Sequence, residues 1–166
     1  MQSIQPSTIY DFQKEASTAG WRVVDDRVMG GLSKGKLVVN NDGHGEYTGT
    51  VSTENNGGFS SLRYQFDATG VSNKQTMVLR IKGDGKKYQF RVKDKSSQYH
   101  SYISTFETSG KWETIQIPLE DMYPSFRGRK LTIPNFNHTQ IEEIAFLIGN
   151  KKAESFELLI DSIAVE

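Results

Sequence analysis

The stretch LRIKGDGKKYQFRV, residues 79–92, places two runs of alternating apolar residues on either side of an Asp-Gly pair. Alternation with a period of two is typical of a half-buried β-strand. If Asp84 and Gly85 form a two-residue turn, Leu79 lies opposite Phe90, and each apolar residue of one run meets an apolar partner in the other. The other predicted pairs are Ile81 with Tyr88 and Met77 with Val92. The stretch therefore predicts a β-hairpin with one apolar and one polar face.

The same alternation recurs along the chain, between clusters of Gly, Asn, Asp and Ser. The predicted strands lie at residues 36–40, 46–52, 60–66, 77–81, 88–92, 99–106, 115–119, 144–148 and 156–160. A short helix is predicted at Thr139 to Ile144, TQIEEI. Many short strands between turn signals are typical of a β-sandwich or barrel. We therefore expect an all-β fold with at most short helices.

Length and charge bound the class of protein. The chain has 166 residues, which suits one domain over 1–166, and 20 basic residues balance 20 acidic ones. A balanced charge gives no general attraction for nucleic acid. No apolar run approaches the roughly 18 residues of a membrane span, and the N-terminus lacks a signal or transit-peptide pattern. We therefore expect a cytoplasmic protein with no nucleic-acid partner and no membrane span.

The stretch WRVVDDRVMGGLSKGKL, residues 21–37, could be a catalytic loop or a structural corner. Adjacent residues on an extended chain point to opposite faces, so Asp25 and Asp26 do not naturally share one site. Asp26 can instead accept hydrogen bonds from nearby backbone amides. We interpret this stretch, together with ENNGGFSSLR at 54–63, as a structural corner. Its predicted residues are Trp21, Asp25, Asp26, Met29, Gly30, Gly31, Asn55, Asn56, Gly57 and Gly58.

Common catalytic and nucleotide-binding motifs are missing from the sequence. There is no cysteine and no G-x-S-x-G elbow, and GGLSKG lacks the spacing and ending of a P-loop. The three histidines, His44, His100 and His138, show no short metal-ligand spacing. We therefore predict a non-enzymatic protein with no catalytic residue and no cofactor. Oxygen-rich turns leave a calcium site open as an alternative, with Asp26, Asn55 and Asp161 as candidate ligands.

The polar side of the predicted hairpin is the best candidate for a binding surface. Arg80 and Arg91 lie diagonally on it, and a neighbouring strand can add an aromatic ring such as Tyr102, which we expect to be exposed. Trp21 and Trp112 are expected in the core. Arginine forks beside rings suit a sugar, an anion or a protein partner, although a solvated face has the same pattern. The candidate residues of this face are Arg63, Arg80, Gln89, Arg91, His100 and Tyr102.

Five segments together resemble the complex I intermediate-associated protein family. They are DDRVMGGLS at 25–33, ENNGGFSSLR at 54–63, GDGKKYQFRV at 83–92, FETSGKWETIQIPLEDMYPSFRGR at 106–129 and FELLIDSI at 156–163. They occur in the family's order and cover about Phe12 to Val165. The resemblance implies a galactose-binding-domain-like β-sandwich of the jelly-roll kind, and no catalytic residue carries over from it.

The resemblance also implies a function. Mitochondrial members of the family act as chaperone-like factors that hold a membrane-arm intermediate while respiratory NADH:ubiquinone oxidoreductase is assembled. The fold is shared with carbohydrate-binding modules. We therefore expect a protein-interaction module that binds an assembly intermediate, with the binding of an oligosaccharide as the alternative.

Overall fold

The computed structural model describes residues 6–26, 31–54 and 58–166. Two antiparallel sheets pack face to face. The six-stranded sheet contains β1 (Ser7–Asp11), β3 (Lys34–Val39), β4 (Gly45–Val51), β6 (Thr76–Lys82), β9 (Trp112–Pro118) and β13 (Glu154–Val165). The seven-stranded sheet contains β2 (Trp21–Asp25), β5 (Ser60–Gly70), β7 (Lys87–Lys93), β8 (Ser101–Glu107), β10 (Tyr123–Phe126), β11 (Arg129–Lys130) and β12 (Gln140–Ile148).

Helical structure is slight in comparison with these strands. Helix α1 spans Phe12–Glu15, and a 3₁₀ turn spans Leu119–Asp121. Over the described ranges, no helix has both the length and the apolar character needed to cross a membrane. The prediction of an all-β sandwich with at most short helices is therefore confirmed.

The order of strands determines which residues share a surface. The six-stranded sheet runs β3-β4-β13-β6-β9, with β1 also paired to β13. The seven-stranded sheet runs β11-β10-β8-β7-β12-β5-β2. One face of each sheet supplies the buried core, which includes Tyr47, Leu79, Phe90, Phe146 and Leu158. The other face of each sheet points away from the core, because successive side chains of a strand alternate between faces.

The hairpin predicted for residues 79–92 is wrong. Strand β6 pairs with β9 and β13, whereas β7 pairs with β8 and β12 in the other sheet. The segment is thus an arch that carries the chain from one sheet to the other. Leu79 and Phe90 are both fully buried in the interior that the two sheets share. Alternating apolar residues match equally well side by side in one sheet or across a core, so the pattern alone cannot separate the two arrangements.

The crossover between β6 and β7 is held by the side chain of Asp84. Its carboxylate accepts hydrogen bonds from the Tyr88 hydroxyl at 2.9 Å and from the Glu157 amide of β13 at 2.8 Å. Gly85 has φ +85°, a backbone conformation that glycine adopts without strain. The Asp-Gly pair is therefore a turn signal, as the sequence indicates, but it turns the chain between sheets.

The short helix predicted at 139–144 is also wrong, because residues 140–144 begin strand β12. This strand lies between β5 and β7 in the sheet, and most of its residues are buried. Its pairing with β5 is irregular between Ile141 and Glu143. As a result Ile141 and Ile144, three residues apart, both lie in the core. The irregularity produces the spacing that resembles a helical pattern.

Candidate functional site

Strand pairing brings several cationic side chains together on the outer face of the seven-stranded sheet. Arg22 of β2 pairs with Arg63 of β5, and Arg63 pairs with Ala145 of β12. On the other side, Ala145 pairs with Arg91 of β7. Paired residues in neighbouring strands point to the same face. Lys93 of β7 lies two residues beyond Arg91 and so shares that face. We call Arg22, Arg63, Arg91 and Lys93 the cationic face.

Three successive rows of paired residues cross this surface. The first contains Val24, Ser61, Leu147, Gln89 and Thr105. The second contains Arg22, Arg63, Ala145, Arg91, Ile103 and Tyr123, and the third contains Gln65, Glu143, Lys93, Ser101 and Ser125. Within the described part of these rows, Glu143 is the one carboxylate beside four cations. The surface therefore carries an excess of positive charge, although the chain as a whole is neutral.

Several residues of the outer face are buried. Ala145 is 4% exposed and Ile103 is 3% exposed. We attribute this burial to the long side chains on either side, because arginine and lysine cover apolar surface with their methylene stems. The guanidinium groups consequently lie close to the sheet, where water screens their charges less than it would at the tips of freely extended side chains.

Hydrogen bonds to neighbouring strand residues orient the two central arginines. Both Nε and Nη2 of Arg91 donate to Oε1 of Gln89, at 3.0 and 2.7 Å. Nε of Arg63 donates to the hydroxyl of Ser61 at 3.2 Å. Both side chains thus lean toward the row that contains Leu147. Within the described residues, Nη1 and Nη2 of Arg63 and Nη1 of Arg91 donate to no protein acceptor.

The positive charges of the cationic face repel one another. Burial lowers the pKa of Arg91 to about 10, and the nearby charge of Arg63 adds to this effect. Burial also lowers the pKa of Arg63, although Glu143 opposes the shift. The pKa of Lys93 is lowered first by burial and then by the neighbouring arginines, against the attraction of Glu143. An anion placed among these positive charges would relieve the repulsion.

Glu143 neutralises only one edge of this surface. Its carboxylate accepts a hydrogen bond from the Gln65 amide at 2.9 Å and lies 3.8 Å from Nζ of Lys93. Lys93 also donates to the backbone carbonyl of Gln98 at 2.8 Å. Glu143 itself is buried. The carboxylate is therefore committed to Lys93 and Gln65.

Two exposed rings lie at the edge of the same sheet. Tyr99 is 84% exposed and precedes β8, and its ring centroid is 6.2 Å from that of Phe126 at the end of β10. The guanidinium of Arg127 lies 5.3 Å from the centre of the Phe126 ring. Both rings are exposed apolar groups at the edge of the seven-stranded sheet.

The six residues predicted for a binding face do not lie together. Arg63, Gln89 and Arg91 share the outer face of the seven-stranded sheet. Arg80 lies on the opposite side of the sandwich, on the outer face of the six-stranded sheet. The separation of Arg80 from Arg91 follows from the arch, because residues placed on one face of a hairpin fall on opposite outer surfaces when its strands enter different sheets. Arg80 donates to the hydroxyl of Thr114 at 3.4 Å.

Tyr102 is buried in the core, so the expectation that it is an exposed ring is wrong. Its hydroxyl lies 2.8 Å from Nε2 of His138 and 3.3 Å from Nε2 of His100. Nδ1 of His138 is 3.3 Å from the Asp94 carboxylate. Burial raises the pKa of Tyr102, and the charge of Asp94 adds to this. The chain of polar groups thus keeps Tyr102 protonated and satisfies its hydroxyl at the rim of the core.

Asp26 lies at the end of β2 and is 1% exposed. Its Oδ1 accepts from the Ser33 amide at 2.9 Å, and its Oδ2 accepts from the Ser33 hydroxyl at 2.5 Å. Oδ2 also accepts from the amides of Gly58 at 2.5 Å and Phe59 at 3.1 Å. Burial acts to raise the pKa of this carboxyl, but the hydrogen bonds from Ser33, Gly58 and Phe59 outweigh it and the pKa is lowered. The ionised carboxylate of Asp26 therefore connects the end of β2 with the segment at Ser33 and the segment at Gly58 and Phe59.

The rest of the predicted corner is divided between two places. Gly31 donates to the backbone carbonyl of Asp26 at 2.8 Å, and a Cβ on Gly31 would overlap the Asp26 carboxylate. Asp25 is buried and accepts from the Gly35 amide at 3.3 Å. Trp21, at the other end of β2, stacks on Tyr64 with centroids 4.8 Å apart and belongs to the aromatic core. Met29, Gly30, Asn55, Asn56 and Gly57 lie outside the described residues.

The candidate calcium ligands are not brought together where they are described. Asp26 is bonded to donors as above, and Asp161 of β13 lies 3.4 Å from Nε2 of His44. The third candidate, Asn55, lies outside the described residues. Trp112, expected in the core, instead packs against His44 with ring centroids 4.4 Å apart. Within the described ranges, no three His, Asp or Glu side chains form a group that could hold a metal ion.

Sequence reasoning missed the residues that make the cationic face a coherent surface. Arg22 lies in a strand that was not predicted, and Lys93 and Glu143 lie just beyond or before the apolar runs that define β7 and β12. The alternation Gln89, Arg91, Lys93 is the one signal in the sequence that indicates this face. Tyr99 gave no signal, since a single tyrosine at a strand end has no pattern.

Comparisons with solved structures show the same fold. A family 11 carbohydrate-binding module from Clostridium thermocellum, in complex with a β-1,3-1,4-mixed-linked tetrasaccharide, matches with a TM-score of 0.72 at 18% identity, covering 99% of this chain and 96% of that one. An exo-β-agarase matches with a TM-score of 0.59 at 10% identity, over 96% of this chain and 25% of the agarase. The galactose-binding-like, jelly-roll sandwich is thereby confirmed.

Comparisons of sequence give the family. An uncharacterized protein of Schizosaccharomyces pombe is 28% identical over 169 residues, which cover 86% of this chain and 76% of that protein. The model of the family described as Complex I intermediate-associated protein 30 matches residues 10–160, nearly the whole chain. The resemblance found in five sequence segments is confirmed, and the chain belongs to the Complex I intermediate-associated protein 30 family.

Proposed function

We propose that this protein is a non-catalytic module that binds a protein partner through the outer face of its seven-stranded sheet. The observation that carries the proposal is the cationic face. It has four cations and one carboxylate, that of Glu143, which is already bonded to Gln65 and lies beside Lys93. The family's description, association with an intermediate of complex I, supports a partner that is itself a subunit or subcomplex during assembly. We propose no chemical step.

The surface suits a protein partner because its donors are held in place before binding. Arg63 and Arg91 are fixed by Ser61 and Gln89, so little side-chain freedom is lost when an acceptor arrives. Charges of one sign on a surface speed the encounter with a partner of the opposite sign and fix its orientation. A stable complex covers about 800 Å² on each partner, an area that requires a sheet face rather than a single pocket.

Sugar binding is the second candidate, and the exposed ring pair is the observation that favours it. Tyr99 and Phe126 could stack on a sugar ring beside the arginine donors. The fold is that of modules which bind oligosaccharides, but fold alone does not establish function.

The experiment is in-cell photo-cross-linking with a benzoyl-phenylalanine residue at one of two exposed strand positions. Thr105 lies on the outer face of the seven-stranded sheet, and Gln116 lies on the outer face of the six-stranded sheet. We expect a discrete protein adduct from Thr105 and none from Gln116. The proposal is overturned if neither position gives an adduct while neutral oligosaccharides bind the purified protein saturably and Tyr99→Ala abolishes that binding.

A further inference from the structure

The spacing of the cationic face indicates what kind of segment it can hold. Neighbouring strands are about 4.8 Å apart, so Arg22, Arg63 and Arg91 lie at about 0, 5 and 14 Å along one row across the sheet. Ala145, with the shortest side chain of this row, occupies the position between Arg63 and Arg91. The row is therefore a line of cations with one gap.

An extended peptide matches this line. Side chains on the same side of an extended chain recur about every 6.7 Å, so three alternate residues span about 13 Å. Acidic residues at the first and fifth positions would then lie over Arg22 and Arg91. The third would lie between Arg63 and Ala145, near Nη1 and Nη2 of Arg63 and Nη1 of Arg91, which donate to no acceptor within the described residues. Arginine forks bind carboxylates with two parallel hydrogen bonds, which makes such contacts stronger than those of neutral donors.

We infer that the Arg22–Arg63–Arg91 row binds an extended acidic segment of a protein partner, with carboxylates at alternate positions. This inference rests on the proposed function and adds the chemistry of the partner to it. The segment crosses the strands, and its middle carboxylate lies between Arg63 and Ala145. Glu143 does not compete for this place, because it is bound to Gln65 and lies beside Lys93.

The test uses a capped peptide of sequence Glu-Thr-Glu-Thr-Glu, which is titrated into the full-length protein. Binding is followed by NMR, through the Nε resonances of the protein's arginines. We expect saturable shifts at Arg63 and Arg91 and none at Arg80, which lies on the other sheet. The matching Gln-Thr-Gln-Thr-Gln peptide should not bind. The double variant Arg63→Gln/Arg91→Gln should bind at least about tenfold more weakly, and Arg80→Gln should bind as the wild type does. Because these residues are partly buried, thermal unfolding of each variant must be recorded alongside.

The wild-type resonances keep the test decisive if the double variant does not fold. Shifts at Arg80 equal to those at Arg63 and Arg91, or equal binding of the glutamine peptide, would overturn the inference. Tighter binding of tri-galacturonate or inorganic phosphate than of the acidic peptide would also overturn it, since the ligand would then be a glycan or a phosphate. If position 105 gives a cross-link to a protein but the peptide does not bind, this inference is wrong and the proposed function is not affected. If position 105 gives no cross-link to a protein, the proposed function itself is wrong.

Discussion

Replacing Asp26 with asparagine should lower the free energy of unfolding by about 4 kcal/mol at pH 7, because it breaks a buried, fully bonded charge. In either orientation of the asparagine side chain, its amide nitrogen would face a backbone N–H donor, either those of Gly58 and Phe59 or that of Ser33. Two donors cannot share a hydrogen bond, so these groups would be left buried without an acceptor. Denaturant unfolding of the two proteins measures the difference.

The effect of the asparagine substitution should depend on pH in a set direction. The pKa of Asp26 is lowered in the folded protein from its ordinary value of 3.8. A lowered pKa gives stability that is complete above about pH 5 and is lost as the pH falls through the folded value. The gap between wild type and Asp26→Asn should therefore shrink between pH 5 and strongly acidic pH.

Asp42→Asn is the matched control, since Asp42 lies in an exposed turn and its carboxylate makes no hydrogen bond within the described residues. It should change stability by no more than about 0.5 kcal/mol. If Asp26→Asn has the same free energy of unfolding as this control at pH 7, the hydrogen bonds of the Asp26 carboxylate do not stabilise the fold.

The second large effect is expected on binding, from a carboxylate introduced into the cationic face itself. Ala145→Glu places an acidic side chain between Arg63 and Arg91. An attached carboxylate competes with any partner at an effective concentration in the millimolar range or higher. We expect binding of the Glu-Thr-Glu-Thr-Glu peptide to weaken by about 30-fold or more. Isothermal titration measures the binding, and a thermal melt checks that the variant is folded.

Ala145→Gln separates charge from bulk, because glutamine has the same shape as glutamate and no charge. It should retain binding within about threefold of wild type. If both variants weaken binding equally, steric obstruction explains the effect and the electrostatic account of the gap is wrong. If neither does so, the peptide does not lie over Ala145.

The fold class could be predicted from the sequence because the alternation of apolar and polar residues along a strand does not depend on which strands pair with it. Met77, Leu79 and Ile81 face the core in a hairpin and in an arch alike. What alternation cannot supply is the partner of each strand, which depends on contacts between distant segments such as β13 with β6. The error therefore lies in the pairing, and it places Arg80 on the wrong surface.

The candidate site was only partly predictable for the same reason. Arg91 and Gln89 are neighbours along one strand, so they could be placed on one face from the sequence. Arg22 and Arg63 join them only because β2, β5, β12 and β7 are adjacent in space. The Asp26 corner was easier to anticipate, since an aspartate followed by Gly31 and Ser33 is a local pattern, although the amides of Gly58 and Phe59 come from a distant segment.

The most direct test of the binding surface uses the absence of cysteine from the chain. Thr105→Cys or Gln116→Cys gives a protein with one thiol, on the outer face of one sheet or the other. The rate of maleimide labelling is measured with and without the partner recovered by cross-linking. We predict that the partner slows labelling at position 105 by about tenfold or more and leaves position 116 unchanged. Equal rates at position 105, or protection at position 116 alone, would contradict binding through the seven-stranded sheet.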